Sequence, residues 1–280
     1  MTTTKSTTQT KTGSHTTALW LGDLHFDQTS ERKRKTLLNH VHSIQSDCVV
    51  MSGDISQARH LQHNLSRIAS VCAPRNLYFV PGNHEFHSSS IATVEANLTD
   101  MCKTVPNLHY LNGTQIIPLG HGTCLIGHRG WADARAGYGH HTVIDSPDRH
   151  AIHEFHGLSP QHAMDKMTAL GHESARIIRG TLPLALSQYK HVVILTHVPP
   201  FPTTVRYNDQ PCGNTHLPHF ANLSVGLAIL GIARAFPRRQ ITVLSGHSHS
   251  GCVSRILPNL TVRVGHARTG SPGIFDVIGL

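Results

Sequence analysis

The stretch Val80-Pro81-Gly82-Asn83-His84-Glu85 begins at the last residue of an apolar run, Leu77-Tyr78-Phe79-Val80. β-Branched and aromatic residues that give way to Pro-Gly are typical of a buried strand that breaks into a loop. This loop presents an amide, an imidazole and a carboxylate in succession, and such groups are costly to bury unless they bind something. A metal ion or a charged substrate is the expected partner.

The same arrangement follows four further apolar strands, where polar side chains appear immediately after the strand. These residues are Asp23 and His25 after Ala18–Leu21, Asp54 after Cys48–Met51, His197 after His191–Leu195, and His247 and His249 after Ile241–Leu244. Open α/β sheets bind ligands beyond the carboxyl ends of their strands, so we expect the five loops to converge on one point. Oxygen and imidazole donors without cysteine suit Mn, Fe, Zn, Ni or Mg. The set exceeds the needs of one ion and predicts two, about 3.5–4 Å apart, that share a carboxylate.

Periodicity along the chain predicts alternating strands and helices. Helical spacing is seen over residues 30–44, 57–71, 89–102, 160–179 and 221–235. Asn112-Gly113 and Gly120-His121-Gly122 predict hairpins that join three strands, at 108–111, 115–119 and 123–127. Residues 260–264 and 274–278 predict two final strands. Residues 128–160 are irregular and too long for a simple connector, which indicates an active-site rim or a mobile lid.

Composition predicts a soluble globular protein, because 39% of the 280 residues are hydrophobic and 14% are charged. We expect one domain over residues 18–280 after a disordered tail, residues 1–17. The net charge of +8 favours anionic partners, including phosphate-bearing ones. Six well-separated cysteines without a secretory signal indicate a reducing, cytoplasmic compartment, and no apolar run is long enough to imply a membrane partner. Oligomeric state stays open.

The ordered motifs resemble those of the calcineurin-like metallophosphoesterase superfamily: Asp23-x-His25, Gly53-Asp54, Gly82-Asn83-His84-Glu85, His197 and Gly246-His247-x-His249. The resemblance spans residues 18–279 and implies an α/β fold of four αββα layers, in which two mixed β-sheets pack as a sandwich flanked by helices. The metal ligands it implies are Asp23, His25 and His249 for the first ion, Asp54 for both ions, and Asn83, His197 and His247 for the second. His84 matches the family's catalytic histidine, which stabilises or protonates the leaving group.

The segment Gly127–Asp133, followed by Asp148-Arg149, is similar to a poorly characterised subgroup, whose members usually carry a Leu-Trp-Thr-Asp-like version. Two interpretations of its arginines stay open, since Arg129 and Arg149 could clamp a phosphate or form surface ion pairs. Trp131 is either a core residue or a base-stacking platform, with the core favoured.

Other polar residues near the motifs are predicted to lie outside the metal site. Glu85 is predicted to be a structural hydrogen-bond partner. The irregularly spaced histidines at positions 140, 141, 150, 153 and 156 predict a polar rim around the substrate rather than a third metal site.

The predicted function is hydrolysis of small phosphodiesters or phosphomonoesters, nucleotides included, by direct attack of a metal-bridging hydroxide, with His84 as proton donor. Two alternatives stay open. A nuclease is favoured by the basic charge, but the chain lacks aromatic and basic interleaving and any recognisable DNA-binding module. A non-catalytic metal-binding scaffold would usually lose the catalytic histidine or a ligand, and none is missing here.

Overall fold

The fold is built from two large β-sheets and one short ribbon, and the computed structural model describes residues 15–280. Residues 1–14 of the predicted tail lie outside the described residues, and Thr17, its last residue, begins the first strand. In chain order the strands are β1 Thr17–Leu21, β2 Cys48–Met51, β3 Asn76–Phe79, β4 Leu108–Tyr110, β5 Ile117–Gly120, β6 Thr123–Gly127, β7 His191–Leu195, β8 Arg206–Tyr207, β9 Gln210–Pro211, β10 Gln240–Ser245, β11 Cys252–Leu257, β12 Leu260–Val264 and β13 Ile274–Gly279.

The helices of residues 15–280 connect these strands. They are α1 Glu31–Ser43, α2 Ala58–Cys72, α3 Ile91–Thr104, α4 Asp148–Ala151, α5 Pro160–Gln188, α6 Leu217–Phe220 and α7 Leu223–Ala235. Single 3₁₀ turns occur at Phe26–Gln28, His84–Phe86, Gly139–His141, His153–Phe155 and Pro202–Thr204. None of the helices in this part of the chain combines the length and the apolar character needed to cross a bilayer.

The first sheet has the strand order β13-β1-β2-β3-β4, with β1 to β4 parallel and β13 antiparallel to β1. Alternate residues of β1 belong to different cores because side chains of a strand alternate between faces. Leu19 and Leu21 pack towards the helices, whereas Ala18 and Trp20 pack towards the second sheet. Burial on both faces explains why the strand is apolar throughout.

The second sheet has the order β11-β12-β10-β7-β6-β5, in which the four central strands are parallel and both edge strands are antiparallel. Leu125, Val193 and Leu244 of this sheet share an inner core with Trp20 and Val50 of the first. Its other face packs on α5 and α7. The layers are therefore helix, sheet, sheet and helix, and the predicted two-sheet sandwich is confirmed.

Five parallel strands end at the same edge of the sandwich. β1, β2 and β3 of the first sheet and β7 and β10 of the second all lead into the motif loops. Hydrogen bonds join these loops within a sheet, where the Asp23 N–H donates to Gly53 O at 2.8 Å. They also join them between sheets, where His197 Nδ1 lies 2.8 Å from Ser52 O. The edge is thus a rigid platform assembled from distant parts of the chain.

The hairpin predicted at Asn112-Gly113 is wrong, because β4 pairs in parallel with β3 in the first sheet, while β5 lies in the second. Leu108 and Tyr110 of β4 bury their side chains in the core between the first sheet and its helices. The hairpin between β5 and β6 is confirmed. The turn residues were therefore a reliable signal of a break in the chain but not of the pairing on either side.

Helix α5 is longer than predicted, since it runs nine residues past Arg179, to Gln188, with Pro183 inside it. Proline removes one helical hydrogen bond, at a cost of about 3 kcal/mol in an exposed helix. Leu182, Ala185 and Leu186 are fully buried in the core beneath this last part of the helix. Their burial offsets the missing bond.

Strand β11 was not predicted, because its sequence is mixed polar and apolar. It is an edge strand whose side chains alternate in exposure, and Val253 is 68% exposed. A strand that buries only part of one face carries little apolar signal.

Burial of His128, the residue after β6, gives a testable dependence of stability on pH. Its side chain is 3% exposed, and burial together with the charges of Arg129 and Arg176 lowers its pKa to about 3. The unfolded chain binds the proton near the usual pKa of about 6.5. Stability from the neutral imidazole is therefore present above pH 6.5 and is lost as pH falls towards 3, with a slope of about 1.4 kcal/mol per pH unit.

We predict that His128→Asn makes urea-unfolding free energies fall less steeply between pH 7 and pH 5 than in the wild type. Asparagine keeps an acceptor for the Gly130 N–H, which lies 3.3 Å from His128 Nδ1, but does not titrate. His40→Asn, at an exposed site on α1, is the matched control and should follow the wild-type curve. Parallel curves for wild type and His128→Asn would contradict the assignment.

Candidate metal centre

Four side chains from three loops form the first donor group, namely Asp23, His25, Asp54 and His249, and one potential ligand atom of each lies within 4.8 Å of those of the others. His25 Nε2 is 3.0 Å from His249 Nε2 and 3.6 Å from Asp54 Oδ2. Asp23 Oδ1 lies 4.0 Å from His249 Nε2. Atoms at these separations can bind one ion together.

A second donor group consists of Asp54, Asn83, His197 and His247. His197 Nε2 lies 3.3 Å from Asp54 Oδ1, 3.2 Å from Asn83 Oδ1 and 3.1 Å from His247 Nδ1. Asp54 is common to both groups, with one carboxylate oxygen towards each. The seven residues predicted as ligands are thus brought together as two adjoining clusters.

The backbone is left-handed at several of these residues. Asp23, His25, Asp54, His247 and His249 all have φ between 41° and 71°. A residue with a Cβ adopts this region at a cost of about 1–2 kcal/mol. Such conformations persist where surrounding hydrogen bonds hold them, and here they turn side chains back over the ends of the strands.

Two glycines leave room for the carboxylates. A Cβ on Gly82 would overlap the Asp54 carboxylate, and one on Gly246 would lie 2.5 Å from Asp23 Oδ2. Both positions therefore need glycine, which accounts for the glycine before Asn83 and the glycine before His247 in the sequence.

Glu85 ties two motif loops together. Its carboxylate accepts hydrogen bonds from the backbone N–H groups of Gly82, Asp54, Ile55 and Ser56. Asp54 follows β2 and Gly82 follows β3, so their hydrogen bonds to Glu85 fix the loops after these two strands against each other. Glu85 is a backbone hydrogen-bond partner, as predicted, and lies in neither group.

One ring nitrogen of His197 and one of His247 each donate a hydrogen bond to a backbone carbonyl oxygen. His197 Nδ1 lies 2.8 Å from Ser52 O and His247 Nε2 lies 2.9 Å from His219 O, and a carbonyl oxygen can only accept. When neutral, each ring presents a lone pair on its other nitrogen, and these two nitrogens are 3.1 Å apart. Two such lone pairs would repel each other without a cation between them, which is a proton on His197 in the metal-free protein and can be a metal ion in its place.

Electrostatics around Asp54 favour positive charge. Burial disfavours protonation of His197, but the charges of Asp54 and Asp23 outweigh it and raise the pKa of His197 to about 10. Burial lowers the pKa of His25 and of His247 to about 4. One cation is thus stabilised beside Asp54, while two further imidazoles stay neutral and keep lone pairs for a metal.

His84 lies at the edge of the first donor group. The backbone N–H of His84 donates to Asp54 Oδ1 at 3.1 Å, and the ring Nε2 is 4.0 Å from Asp54 Oδ2. The ring packs against His25 and His87, with centroids 4.5 Å and 4.4 Å away. Its side chain is 26% exposed, which leaves it accessible to a bound molecule.

A cavity of about 650 Å³ opens over both donor groups and is called the metal-centre cavity below. Asp54, Asn83, His84, His247 and His249 line it, together with the more distant residues Asp148, Tyr207, His219 and Arg268. Its size suits a small organic phosphate.

Residues 16–251 match the family model described as calcineurin-like phosphoesterase. The chain belongs to this family. Membership makes it a metal-dependent phosphoric ester hydrolase, of a family that binds two divalent metal ions. The resemblance inferred from the motifs is thereby confirmed. No curated protein sequence matches the chain.

Two solved structures are similar to this phosphoesterase over nearly its whole length. One is a dimetal phosphatase from Danio rerio, with a TM-score of 0.59 and 13% identity over 95% of this chain and 92% of that chain. The other is the protein TT1561 of Thermus thermophilus, with a TM-score of 0.56 and 10% identity over 94% of each chain. At such low identities the likeness shows the fold alone.

Asp148 is a site residue of this phosphoesterase that was named from the sequence only in the Asp148-Arg149 pair, without a role at the site. Its Oδ1 accepts hydrogen bonds from Asn83 Nδ2 at 2.9 Å and from His87 Nε2 at 2.7 Å. Because the Asn83 amide nitrogen is held there, its oxygen is turned towards His197. Asp148 lies 65 residues from Asn83 in the irregular segment, and the signals that pointed to it were its place in the predicted rim and the Asp148-Arg149 pair of the subgroup similarity.

The arginines and Trp131 of that segment are structural. Arg129 is 5% exposed and pairs with Glu95 and Glu173, so it is neither a phosphate clamp nor a surface residue. Arg149 pairs with Asp145, whose two oxygens accept from it at 2.6 Å. Trp131 is buried between Phe86 and Phe155, as favoured from the sequence.

The histidines at positions 140, 141, 150, 153 and 156 lie in neither donor group, and the two donor groups above are the clusters of potential ligands in residues 15–280. Their side chains are exposed or half-exposed.

We predict that Asp148→Ala lowers the affinity for Mn²⁺ by about tenfold or more, the effect usual for residues that orient a ligand. Its loss frees the Asn83 amide to rotate away from the second donor group. Asp148→Asn keeps an acceptor oxygen, so its affinity for Mn²⁺ should lie between those of the wild type and Asp148→Ala. Calorimetric titration of the metal-free protein measures this, with the exposed Asp100→Ala on α3 as control. Equal affinities for wild type and Asp148→Ala would refute the positioning role.

Proposed function

We propose that this phosphoesterase hydrolyses small phosphate monoesters or diesters by direct attack of water at phosphorus, with two divalent cations as cofactors. The first donor group would hold one cation and the second donor group the other, with Asp54 between them. The observation that carries the proposal is that His197 Nε2 and His247 Nδ1 lie 3.1 Å apart beside Asp54 while their other ring nitrogens face carbonyl oxygens, because a divalent cation can replace the proton between them.

The donor set supports divalent ions of the hard to borderline kind, since it combines carboxylate, amide and imidazole groups and contains no thiolate. Mn, Fe, Zn, Ni and Mg all satisfy this condition. When bound, a pair of such cations lowers the pKa of water towards neutrality and offsets the charge of phosphate oxygens. The chain itself holds the ligand atoms in place through the backbone contacts of Glu85, Ser52 and His219.

His84 is proposed as the proton donor to the leaving group. Its ring borders the first donor group and lines the metal-centre cavity, so it can reach the ester oxygen of a bound phosphate. Contacts with His25 and His87 restrict rotation of the ring. A positioned acid of this kind typically contributes a factor of about 10²–10⁴ in rate.

The size and charge of the site support a small substrate. A cavity of about 650 Å³ accommodates a phosphate with one modest organic group. The net charge of +8 attracts anions of this type.

We predict that His84→Ala slows hydrolysis of an alkyl phosphate by about 10²–10⁴-fold, and hydrolysis of a p-nitrophenyl phosphate much less. An alkoxide needs a proton as it leaves, whereas p-nitrophenolate is a stable anion. Initial rates of the Mn-loaded protein with both substrates measure the difference. His40→Ala, on the exposed face of α1, is the control. If both substrates slowed equally, His84 would not be the acid.

Direct attack of water predicts that one oxygen from heavy-oxygen water appears in the phosphate product after a single turnover. Mass spectrometry of the released phosphate measures it. A trapped phospho-enzyme would contradict this route, and cleavage of single-stranded DNA in preference to small esters would favour a nuclease. Absence of turnover with every metal would favour a non-catalytic scaffold.

A further inference from the structure

A second cavity, of about 520 Å³, adjoins the metal-centre cavity. It lies between the start of α5 and residues 140–149, and its lining includes Trp131 and Phe155, whose rings are nearly parallel with centroids 5.9 Å apart. Ala163, Met164 and Met167 of α5 complete a mostly apolar surface. This space is called the apolar cavity below. Methionine side chains are flexible and adapt to apolar groups of different shape.

The charged residues of the apolar cavity already have partners. Arg149 pairs with Asp145 through two hydrogen bonds, and Asp148 accepts from Asn83 and His87. No charged side chain of this lining is thus left to bind a phosphate or another ion. An uncharged, apolar group is the occupant that the lining fits best.

The two cavities meet at Ile144, Ser146, Asp148 and His219, which line both. This junction is one side chain away from the second donor group, because Asp148 Oδ1 is 2.9 Å from Asn83 Nδ2. A molecule with its phosphate over the donor groups can therefore extend its organic part past the junction into the apolar cavity.

His219 provides a polar group at the junction. Its side chain is 8% exposed, and neither ring nitrogen makes a well-formed hydrogen bond within residues 15–280, although the ring approaches the backbone of Ile144. A buried imidazole without a partner is costly, and a bound ligand oxygen would satisfy it. An ester oxygen between a phosphate and an organic group would lie at this position.

We propose that the apolar cavity is a substrate subsite for an uncharged alkyl or aryl group, with His219 at its entrance. The inference rests on the proposed phosphoesterase function and narrows it to phosphate esters that carry an apolar organic group. The other side of the metal-centre cavity, with Tyr207, Asn208, Asp209 and Arg268, is polar and suits a different class of substrate.

The test compares methyl, butyl and hexyl p-nitrophenyl phosphates with the Mn-loaded full chain. Each buried CH₂ should raise kcat/KM by about fourfold, the equivalent of its transfer free energy. We expect an increase of about 60-fold from the methyl to the butyl ester, which has three more CH₂ groups. A flat or falling series would overturn the subsite and leave the phosphoesterase function intact.

A polar substitution in the apolar cavity tests whether the preference for longer alkyl groups arises there. Met164→Gln keeps the length of the side chain, and we expect the ratio of kcat/KM for the hexyl over the methyl ester to fall about tenfold. Leu184→Gln makes the same kind of exchange at a 60% exposed position of α5 outside the cavity, and it should keep the wild-type ratio. If Met164→Gln is unfolded by circular dichroism, Val143→Asp replaces it, because Val143 lines the cavity but is 87% exposed.

Two further outcomes separate the hypotheses. If the hexyl preference survives Met164→Gln but is lost in Tyr207→Ala, the organic group lies on the polar side and the subsite is wrong. If no ester is hydrolysed with any metal, the proposed function fails, and binding of 1-hexanol then tests the cavity alone. With methyl-labelled methionine, hexanol should shift the NMR signals of Met164 and Met167, and unshifted signals would overturn the proposal.

Discussion

The structure depends on one carboxylate, Asp54, which serves two clusters of ligand atoms at once. Its oxygens lie 3.3 Å from His197 Nε2 and 3.6 Å from His25 Nε2, and these histidines come from loops of different sheets. Such a position is reached only if the two sheets end at the same edge, the Asp54 backbone is left-handed, and Gly82 carries no side chain. The two-sheet sandwich meets the first condition, the hydrogen bond from the Asp54 N–H to Glu85 supports the second, and glycine at position 82 meets the third.

The same constraint explains why so much of the fold is apolar on both faces. Five left-handed residues together cost several kcal/mol, since each costs about 1–2 kcal/mol. A core that packs strands on both sides supplies the rigidity that holds such a site. Trp20 and Leu21 of β1 are neighbours in sequence but support opposite layers, immediately before the loop that carries Asp23. Stability and site geometry are therefore properties of the same strands.

The sequence predicted that the donor residues converge, because each follows an apolar strand and parallel strands end at the same edge of a sheet. Asp148 could not be found in this way, since its contact with Asn83 joins positions 65 residues apart and arises from an irregular segment. Pairing of β4 was mispredicted because a turn signal does not say which sheet a strand joins. The end of α5 was missed because burial of Leu182 and Leu186 outweighs the local effect of Pro183. In each case a contact distant in sequence decided the outcome.

The segment from Thr142 to Arg149 links metal geometry to substrate contacts. Asp148 orients the Asn83 amide at one end of it, while Ile144 and Ser146 separate the metal-centre cavity from the apolar cavity. The two roles share one backbone, so a movement that widens the apolar cavity also displaces the acceptor of the Asn83 amide. Under the proposed function, substrate preference and metal affinity would be coupled through this segment, which contributes none of the predicted metal ligands.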